Sequence, residues 1–195
     1  MTNRTTTRTH CGDFRSTHLG QQVSLSGWVE TNRDHGGVIF IDVRDRFGLV
    51  QVVAHPDTPE MHKLAHSMRQ QDVIEVHGEV IARDAAVVNK KIPTGEVEIK
   101  ISDIKVLNRA QTPPFAIDDD CNAGEQHRLE YRYLDLRRPV MQRNLMLRHK
   151  VTHAARNFLD TQDFLDVETP ILNKSTPEGA RDYLVPSRVY PGSFY

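Results

Sequence analysis

The stretch from residue 22 to residue 107 constrains the fold most, because apolar and polar side chains alternate along most of its length. This period of two predicts five strands, at residues 22–30, 38–42, 49–53, 72–83 and 95–107. Turn-rich segments at residues 31–37 and 45–48 separate the first three strands. The period changes at residues 59–69, where Met61, Leu64, Ala65 and Met68 fall on one face of a short helix. The chain is therefore predicted to begin with a small sheet domain that carries one helix.

Three strands, a helix and two strands follow one another in the order of the five-stranded OB barrel, which binds oligonucleotides on one face. Other small barrels produce similar alternation, and the pattern alone leaves them open. We predict a β + α chain with the OB-fold barrel at residues 1–108 and a linker or hinge at 109–140. Residues 141–195 are predicted to begin a second domain with a helix, from Pro139 to about Thr161, and a strand-like segment at 164–172.

Composition limits the kinds of partner and site. The formal net charge is -1, and residues 1–108 hold 13 Lys and Arg against 14 Asp and Glu, so a general affinity for polyanions is not expected. Any nucleic-acid binding must come from individually placed contacts. The two cysteines, Cys11 and Cys121, lack the spacing of a zinc site or a disulfide framework, and no metal site is predicted. No apolar run approaches the length that spans a bilayer.

Several groups of charged or ionisable residues admit two interpretations. Six arginines of the second half are either a solvated helix face or a set of phosphate contacts; they are Arg128, Arg132, Arg137, Arg138, Arg143 and Arg148. The carboxylate pairs Asp42/Asp45 and Glu96/Glu98 could suggest acid–base chemistry, but at these spacings they are more typical of solvated turns and strands. His62 and His66 share a helix face without a third metal ligand, which favours a surface position.

Four local motifs carry a closer resemblance. They are residues 27–29 with 33–45 (GWV and RDHGGVIFIDVRD), 131–139 (YRYLDLRRP), 164–170 (FLDVETP) and 175–188 (STPEGARDYLVPSR). Together they resemble the bacterial-type aspartyl-tRNA synthetases, a family of class II ligases related to the asparaginyl and lysyl enzymes. The first motif is similar to the opening strands of the anticodon-binding barrel, and the second to the hinge. The third resembles class II motif 1, and the fourth, the most specific, resembles the loop and strand at the aspartate pocket.

The resemblance assigns anticodon contacts to four residues of the barrel. It makes Phe40 the stacking platform for the middle anticodon base, and Gln51 the hydrogen-bonding partner of that uracil. Glu98 is expected to accept hydrogen bonds from base donors, and Arg33 to contact a base or phosphate of the anticodon loop. The alternative for Phe40 is a core position, because it lies between Ile39 and Ile41.

The resemblance also implies roles outside base recognition. His35 and Ala86 match positions at which enzymes that charge only tRNA(Asp) carry bulkier or longer side chains, which suggests acceptance of tRNA(Asn) as well. Glu178 is expected to hold the ammonium group of L-aspartate, with a solvated loop glutamate as the alternative. Pro170 is expected to shape the motif 1 strand at the interface of a homodimer.

The implied activity is aspartate–tRNA ligation in a cytoplasmic enzyme, in two steps through aspartyl-adenylate, with ATP and Mg²⁺. The family's motifs 2 and 3, which hold ATP, would follow Tyr195, so no catalytic residue is assigned to this chain and we expect it to be inactive alone. No cofactor is expected to bind it, and residues after about 110 are expected to be less settled than the barrel. A different possibility is a non-catalytic module that binds the tRNA anticodon.

Overall fold

The computed structural model describes residues 9–173 and 183–194. Five strands form a closed barrel: β1 (Gln22–His35), β2 (Val38–Asp45), β3 (Gly48–Ala54), β4 (Val73–Ala82) and β5 (Val97–Asn108). Their order around the barrel is β1-β2-β3-β5-β4, and β4 pairs with β1 to close it. All neighbours are antiparallel except β3 and β5. This is the OB topology that the order of the predicted elements indicates.

The barrel interior is filled by the alternate apolar side chains of all five strands, which confirms the faces that the sequence period assigns. The fully or nearly fully buried members from the strands include Leu25, Val29, Ile39, Ile41, Val43, Val50, Val52, Ile74, Val76, Val80, Val97 and Ile99. Cys11 and Phe14, which precede β1, are buried in the same cluster. This core fixes the register of each strand, because a slip by one residue would turn its apolar set toward water.

The helix α1 (Pro59–His66) lies between β3 and β4 and closes one end of the barrel. Its Ala65 is buried, as is Met68 just after it, while Met61 and Leu64 pack against the core from the same face. Asn32 of β1 donates its side-chain amide to the carbonyls of Ala65 and Met68, at 2.8 and 3.0 Å. The end of the helix is therefore fixed to β1, and orphan carbonyls at its C-terminus are satisfied.

The first strand is longer than predicted, and this is the main correction to the sequence-based assignment. Residues 31–35, expected to belong to a turn, continue β1 and pair with β2 as far as His35 opposite Val38. Only Gly36 and Gly37 form the turn, with φ of 62° and 81°. A two-residue turn with both φ values positive matches the right-handed twist of the flanking strands, which allows the hairpin to extend to its tip.

Beyond the barrel, the hinge contains two short helices, α2 (Glu125–Glu130) and α3 (Arg132–Asp135), and is followed by α4 (Pro139–Asp160). The predicted start of α4 at Pro139 is confirmed. The chain divides into two compact units, Met1–Arg143 and Asn144–Tyr195, and the hinge belongs to the first. No helix within the described residues has the length and apolar character needed to cross a membrane.

The strand predicted at residues 164–172 is wrong for this structure, in which these residues form neither strand nor helix. A strand needs a neighbouring strand to accept its backbone hydrogen bonds. In the described residues of the second unit, the one bridge between extended segments joins Pro186 and Phe194. The apolar pattern of the segment is real, but nothing in the described chain pairs with it.

Candidate nucleic-acid interface

A groove of about 440 Å³ lies on the outer face of β1, β2 and β3 and is bordered by the connection between β4 and β5. Its lining combines aromatic, amide and charged side chains, namely Arg33, His35, Phe40, Asp42, Leu49, Gln51, Arg83, Val87, Asn89 and Ile92. Arg33, His35, Phe40 and Gln51 are site residues predicted from the sequence. The structure therefore brings together four positions that lie up to 18 residues apart in the chain.

Phe40 points away from the core. Its neighbours Ile39 and Ile41 are completely buried in the barrel interior, whereas Phe40 is half-buried and lines the groove. The alternation of side chains along β2 requires this arrangement, because successive residues of a strand face opposite sides. The core position considered for Phe40 is not observed. An aromatic face on an open sheet surface can stack on an unpaired base.

Arg33 lies directly across from Phe40 in the pairing of β1 with β2. Its Nη2 donates to Oδ2 of Asp42 at 2.9 Å, and Thr31 Oγ1 donates to the same oxygen at 2.5 Å. The Arg33 side chain remains 57% exposed. Asp42 thus orients the guanidinium beside the aromatic ring and leaves other donors of that guanidinium facing water. Such a fork of donors suits a base edge or a phosphate oxygen.

Gln51 pairs with Asp42 across β2 and β3 and lines the same groove. It is only 8% exposed, and its side-chain amide makes no hydrogen bond with another residue in the described part of the chain. An amide presents both a donor and an acceptor, the combination needed to read one edge of a pyrimidine. Its position therefore fits the role that the resemblance assigns.

Glu98 of β5 does not line the groove itself, but it lies beside Arg83, which does. Arg83 is a residue that sequence reasoning missed. Arg83 Nε lies 3.8 Å from Glu98 Oε2 and donates to the carbonyl of Val97 at 3.2 Å. The Arg83 side chain is only 5% exposed, and its Nη2 has no hydrogen-bond partner among the described residues. Burial raises the pKa of Glu98, and the neighbouring Arg83 acts in the opposite direction. Burial likewise lowers the pKa of Arg83.

The register of β4 on β5 explains why Arg83 was missed. Ile81 is opposite Glu98, and the backbone of Arg83 donates to the carbonyl of Glu96, so Arg83 and Glu98 approach only once the two strands pair. The residues are 15 positions apart with a long connection between them, and no local pattern indicates that register. Nη2 of Arg83 is a buried donor beside the groove, without a hydrogen-bond partner among the described residues.

Of the two residues predicted to influence tRNA choice, one lines the groove and the other lies next to it. His35 is exposed at the end of β1 and lines the groove. Ala86 is exposed in a short 3-10 turn (Ala85–Val87), where its N–H donates to Asp84 Oδ1 at 3.0 Å. Ala86 itself does not line the groove, whereas the adjacent Val87 does. Both residues are therefore close to the rim of the surface.

The remaining predicted site residues belong to the second unit. Pro170 is exposed in the irregular segment after α4. Glu178 lies outside the residues that the structure describes, and its role stays a prediction. Nowhere in residues 9–173 or 183–194 do three His, Cys, Asp or Glu side chains gather in a way that could hold a metal ion.

The arginines after residue 127 are mostly engaged within the hinge, so the interpretation as a solvated helix face is wrong for most of them. Asp135, which is completely buried, pairs with Arg128, Arg132 and Arg138. Arg138 is itself nearly buried and donates to the carbonyl of Asp118 at 2.7 Å. These charges stabilise the turn from α3 into α4, because a buried carboxylate needs paired, hydrogen-bonding partners.

The other candidate pairs also have structural roles. Asp45 accepts hydrogen bonds from the backbone N–H groups of Cys11, Phe47 and Gly48, and so holds the turn between β2 and β3. His62 donates from Nε2 to the carbonyl of Gly37 at 2.8 Å, which joins α1 to the tip of the first hairpin. Neither arrangement resembles an acid–base pair.

Comparison with known proteins follows this division into a barrel and a second part. Residues 23–107 match the family model of the OB-fold nucleic acid binding domain. Residues 124–195 match that of the class II tRNA synthetases of the D, K and N group. Residues 108–123, which include the first part of the hinge, lie between the two matches.

Full-length relatives give the same result. The aspartate–tRNA(Asp/Asn) ligase of Desulfatibacillum aliphaticivorans is 57% identical over 190 residues, which cover 96% of this chain and 32% of that protein. The aspartate–tRNA ligase of Geobacillus kaustophilus is 56% identical, with 95% and 32% covered. The chain thus spans about a third of the length of the curated relatives it matches.

Solved structures share the fold. The asparaginyl-tRNA synthetase of Pyrococcus horikoshii, in complex with asparaginyl-adenylate, superposes with a TM-score of 0.78 at 25% identity and covers 93% of this chain and 41% of its own. An aspartyl-tRNA synthetase of Leishmania major, described as putative, superposes with a TM-score of 0.79 at 19% identity over 99% of this chain and 39% of its own. The chain is therefore similar to the class II tRNA synthetases of the D, K and N group over residues 124–195 and, over 95–96% of its own length, to about a third of these aspartate–tRNA ligases.

Proposed function

We propose that this chain is the anticodon-binding part of an aspartate–tRNA ligase and that the groove around Phe40 holds the anticodon bases of tRNA(Asp). The observation that carries the proposal is one outward ring, Phe40, beside the free amide of Gln51 and the oriented guanidinium of Arg33. Single-stranded RNA loops are read by this combination of stacking and edge hydrogen bonds, because their bases are already unstacked.

Each side chain of the groove has a distinct part in the proposal. Phe40 stacks on the middle base, which contributes about 1–3 kcal/mol for such a contact. Gln51 hydrogen-bonds the edge of that base, and Arg33 contacts the loop backbone or a second base. Arg83 borders the groove and holds Glu98 beside it, and Glu98 accepts from a base donor. The charges are balanced, so the groove selects by placed contacts rather than by a basic surface.

The test is binding of the anticodon stem–loop of tRNA(Asp) to the 195-residue chain. Phe40→Ala is expected to weaken binding by roughly 5- to 100-fold, from the loss of one stacking contact. Phe47→Ala is the matched control, because Phe47 is an exposed aromatic residue in the turn between β2 and β3 and does not line the groove. Equal affinities for the two variants would refute the proposed position of the anticodon.

We further propose that the groove accepts the anticodon of tRNA(Asn) as well. The support is the small Ala86 and the exposed His35 at the rim, together with relatives of both names, some called Asp/Asn ligases and others Asp ligases. The two stem–loops are expected to bind the chain with similar affinity, and His35→Leu is expected to favour tRNA(Asp). A strong preference of the unaltered chain for tRNA(Asp) would contradict acceptance of tRNA(Asn).

For the whole protein, we propose ligation of L-aspartate to tRNA by a homodimer that uses ATP and Mg²⁺. By the resemblance, Glu178 would hold the substrate ammonium and Pro170 would lie at the dimer interface. ATP with Mg²⁺ would activate the aspartate carboxylate, and no described residue of this chain is assigned to that step. RNA binding without catalysis predicts the same stem–loop result, so aspartate-dependent ATP–pyrophosphate exchange by a full-length protein separates the two possibilities.

A further inference from the structure

The end of the barrel that faces the hinge contains an indole with two nearby guanidinium groups. We infer that Trp28 is a positioning residue that fixes the hinge on the barrel through its contact with Arg137. Arg137 follows α3, and its Cζ atom lies 4.5 Å from the centre of the Trp28 ring. A guanidinium over an indole at this distance is a favourable cation–π contact.

The position of Arg137 is unfavourable without the indole. Arg44, directly across from Trp28 in the β1–β2 pairing, places its own Cζ atom 5.8 Å from the same ring. Arg44 Nε pairs with Glu30 at 2.8 Å, but its Nη1 and Nη2 are buried and without a hydrogen-bond partner in the described chain. Burial and the charge of Arg44 both lower the pKa of Arg137. The ring of Trp28 is the group on the barrel that offsets this cost.

A second contact holds the other end of the hinge to the same part of the barrel. Asp72, completely buried, accepts hydrogen bonds from Arg109 Nη1 at 2.7 Å and from the N–H of Ala110 at 2.8 Å. The carbonyl of Asp72 accepts from the N–H of Val29, the residue after Trp28. The hinge is thus attached near both of its ends to adjacent backbone of the barrel.

Between these two attachments the packing is not continuous. A cavity of about 380 Å³ separates the barrel end from the hinge, with Trp28 and Val73 on one side and Tyr131, Tyr133 and Arg137 on the other. Across this cavity the barrel and the hinge therefore do not pack directly against each other. The orientation of the hinge depends on the two attachments, and Trp28 carries the one nearest to α4.

The consequence for tRNA rests on the proposed function. The strand β1 carries Trp28 at the hinge and Arg33 and His35 in the groove. A hinge fixed to Trp28 leaves the barrel in one direction relative to the bound anticodon. Trp28 would then set the direction of the hinge without contacting RNA.

The experiment uses the fact that Trp28 is the single tryptophan of the sequence, so tryptophan emission of the 195-residue chain reports on the surroundings of this ring. Arg137→Leu is expected to move the emission to longer wavelength, as the released hinge lets water reach the indole. It is also expected to speed hydrogen exchange at Leu134 and Leu136 by roughly tenfold, while Val43 and Val76 in the barrel keep their protection. Anticodon stem–loop affinity should stay unchanged.

Arg137→Lys retains a cation over the ring and is expected to keep the original emission and exchange rates. Arg148→Leu, which removes an exposed arginine of α4, is the matched control and should change neither. The inference is overturned if Arg137→Leu leaves emission and hinge exchange unaltered, or if the lysine variant behaves as the leucine variant does. Since neither measurement involves RNA, such a failure is distinct from a failure of the stem–loop to bind.

Discussion

Buried carboxylates of this chain differ in what they hold together, and Asp72 has the most far-reaching contacts. It accepts hydrogen bonds from Arg69 after α1 and from Arg109 and Ala110 at the start of the hinge. Burial alone would raise the pKa of Asp72, but the N–H donors of Ala110 and Arg69 and the guanidinium of Arg109 outweigh it and lower that pKa below its ordinary 3.8. The folded state therefore favours the ionised form of the Asp72 carboxylate.

Asp72→Asn is expected to lower the free energy of unfolding by about 2–4 kcal/mol at pH 7, because the neutral amide loses charge-assisted hydrogen bonds and brings donors of its own into a buried site. Since the folded-state pKa is the lower one, the stabilisation by Asp72 is complete above 3.8 and is lost as the pH falls through the folded pKa. The difference between the two proteins should shrink in acid. Urea unfolding at several pH values measures it.

Asp57→Asn is the control for this prediction, because Asp57 is exposed and forms no hydrogen bond with another described residue through its side chain. Its free energy of unfolding should stay within about 0.5 kcal/mol of the original. A pH-independent loss for Asp72→Asn would mean that the ionised state of the carboxylate is not what stabilises the hinge attachment.

For single residues, the sequence predicts which face of a strand a side chain occupies better than it predicts which residue that side chain contacts. Alternation along β2 is sufficient to turn Phe40 outward once Ile39 and Ile41 face the core. The pairing of Arg83 with Glu98, or of Trp28 with Arg137, depends on strand register and on how the hinge returns to the barrel. Those distances join residues far apart in the chain, and no local pattern carries them.

Among the elements, the first hairpin determines the shape of the groove. Its strands continue to His35 and Val38, so Arg33 and Phe40 face each other on a regular sheet rather than on a loop. The sequence misleads here, because polar and charged residues at 31–35 resemble a turn while their backbone is fully paired. Their side chains have partners as well: Thr31 and Arg33 both donate to Asp42.

Gly37→Ala is expected to destabilise the chain by about 1–2 kcal/mol, since a residue with a Cβ atom disfavours the positive φ of 81° at this turn. Gly124→Ala is the matched control: Gly124 precedes α2 with φ of -61°, and an added Cβ atom would meet no atom within 4 Å. Thermal or urea unfolding compares the two. Equal stability of both variants would show that the tip of the hairpin tolerates a different turn.

Considered as a whole, the molecule forms two compact units that divide between Arg143 and Asn144. The loosening expected after about residue 110 is not what the contacts show, because the hinge is attached to the barrel and the first compact unit extends to Arg143. The attachment depends on a few long-range contacts of Trp28 and Asp72, which composition alone cannot reveal. The boundary between the two units falls inside α4.

Limited proteolysis is therefore expected to cut first beyond Arg143 and to leave a resistant core of barrel and hinge. Large apolar side chains of the second unit are exposed, with Leu147 at 62%, Phe158 at 65% and Ile171 at 99%. We expect the 195-residue chain to associate as its concentration rises, and a chain ending at Arg143 to stay monomeric in sedimentation experiments. Early cleavage between residues 110 and 130 would contradict this division.

The short pairing of β3 with β5 has a further consequence. Strands β3 and β5 run parallel and share only two paired positions, Val52 with Ile99 and Val53 with Lys100, far fewer than any other neighbouring strands. We expect the barrel to open locally between these two strands more readily than elsewhere, because the fewest backbone hydrogen bonds join them. Gln51 lies on one of these strands and Glu98 on the other. An RNA loop that contacts both residues would link β3 to β5. Binding of the anticodon would then also stabilise the closed form of the barrel that recognises it.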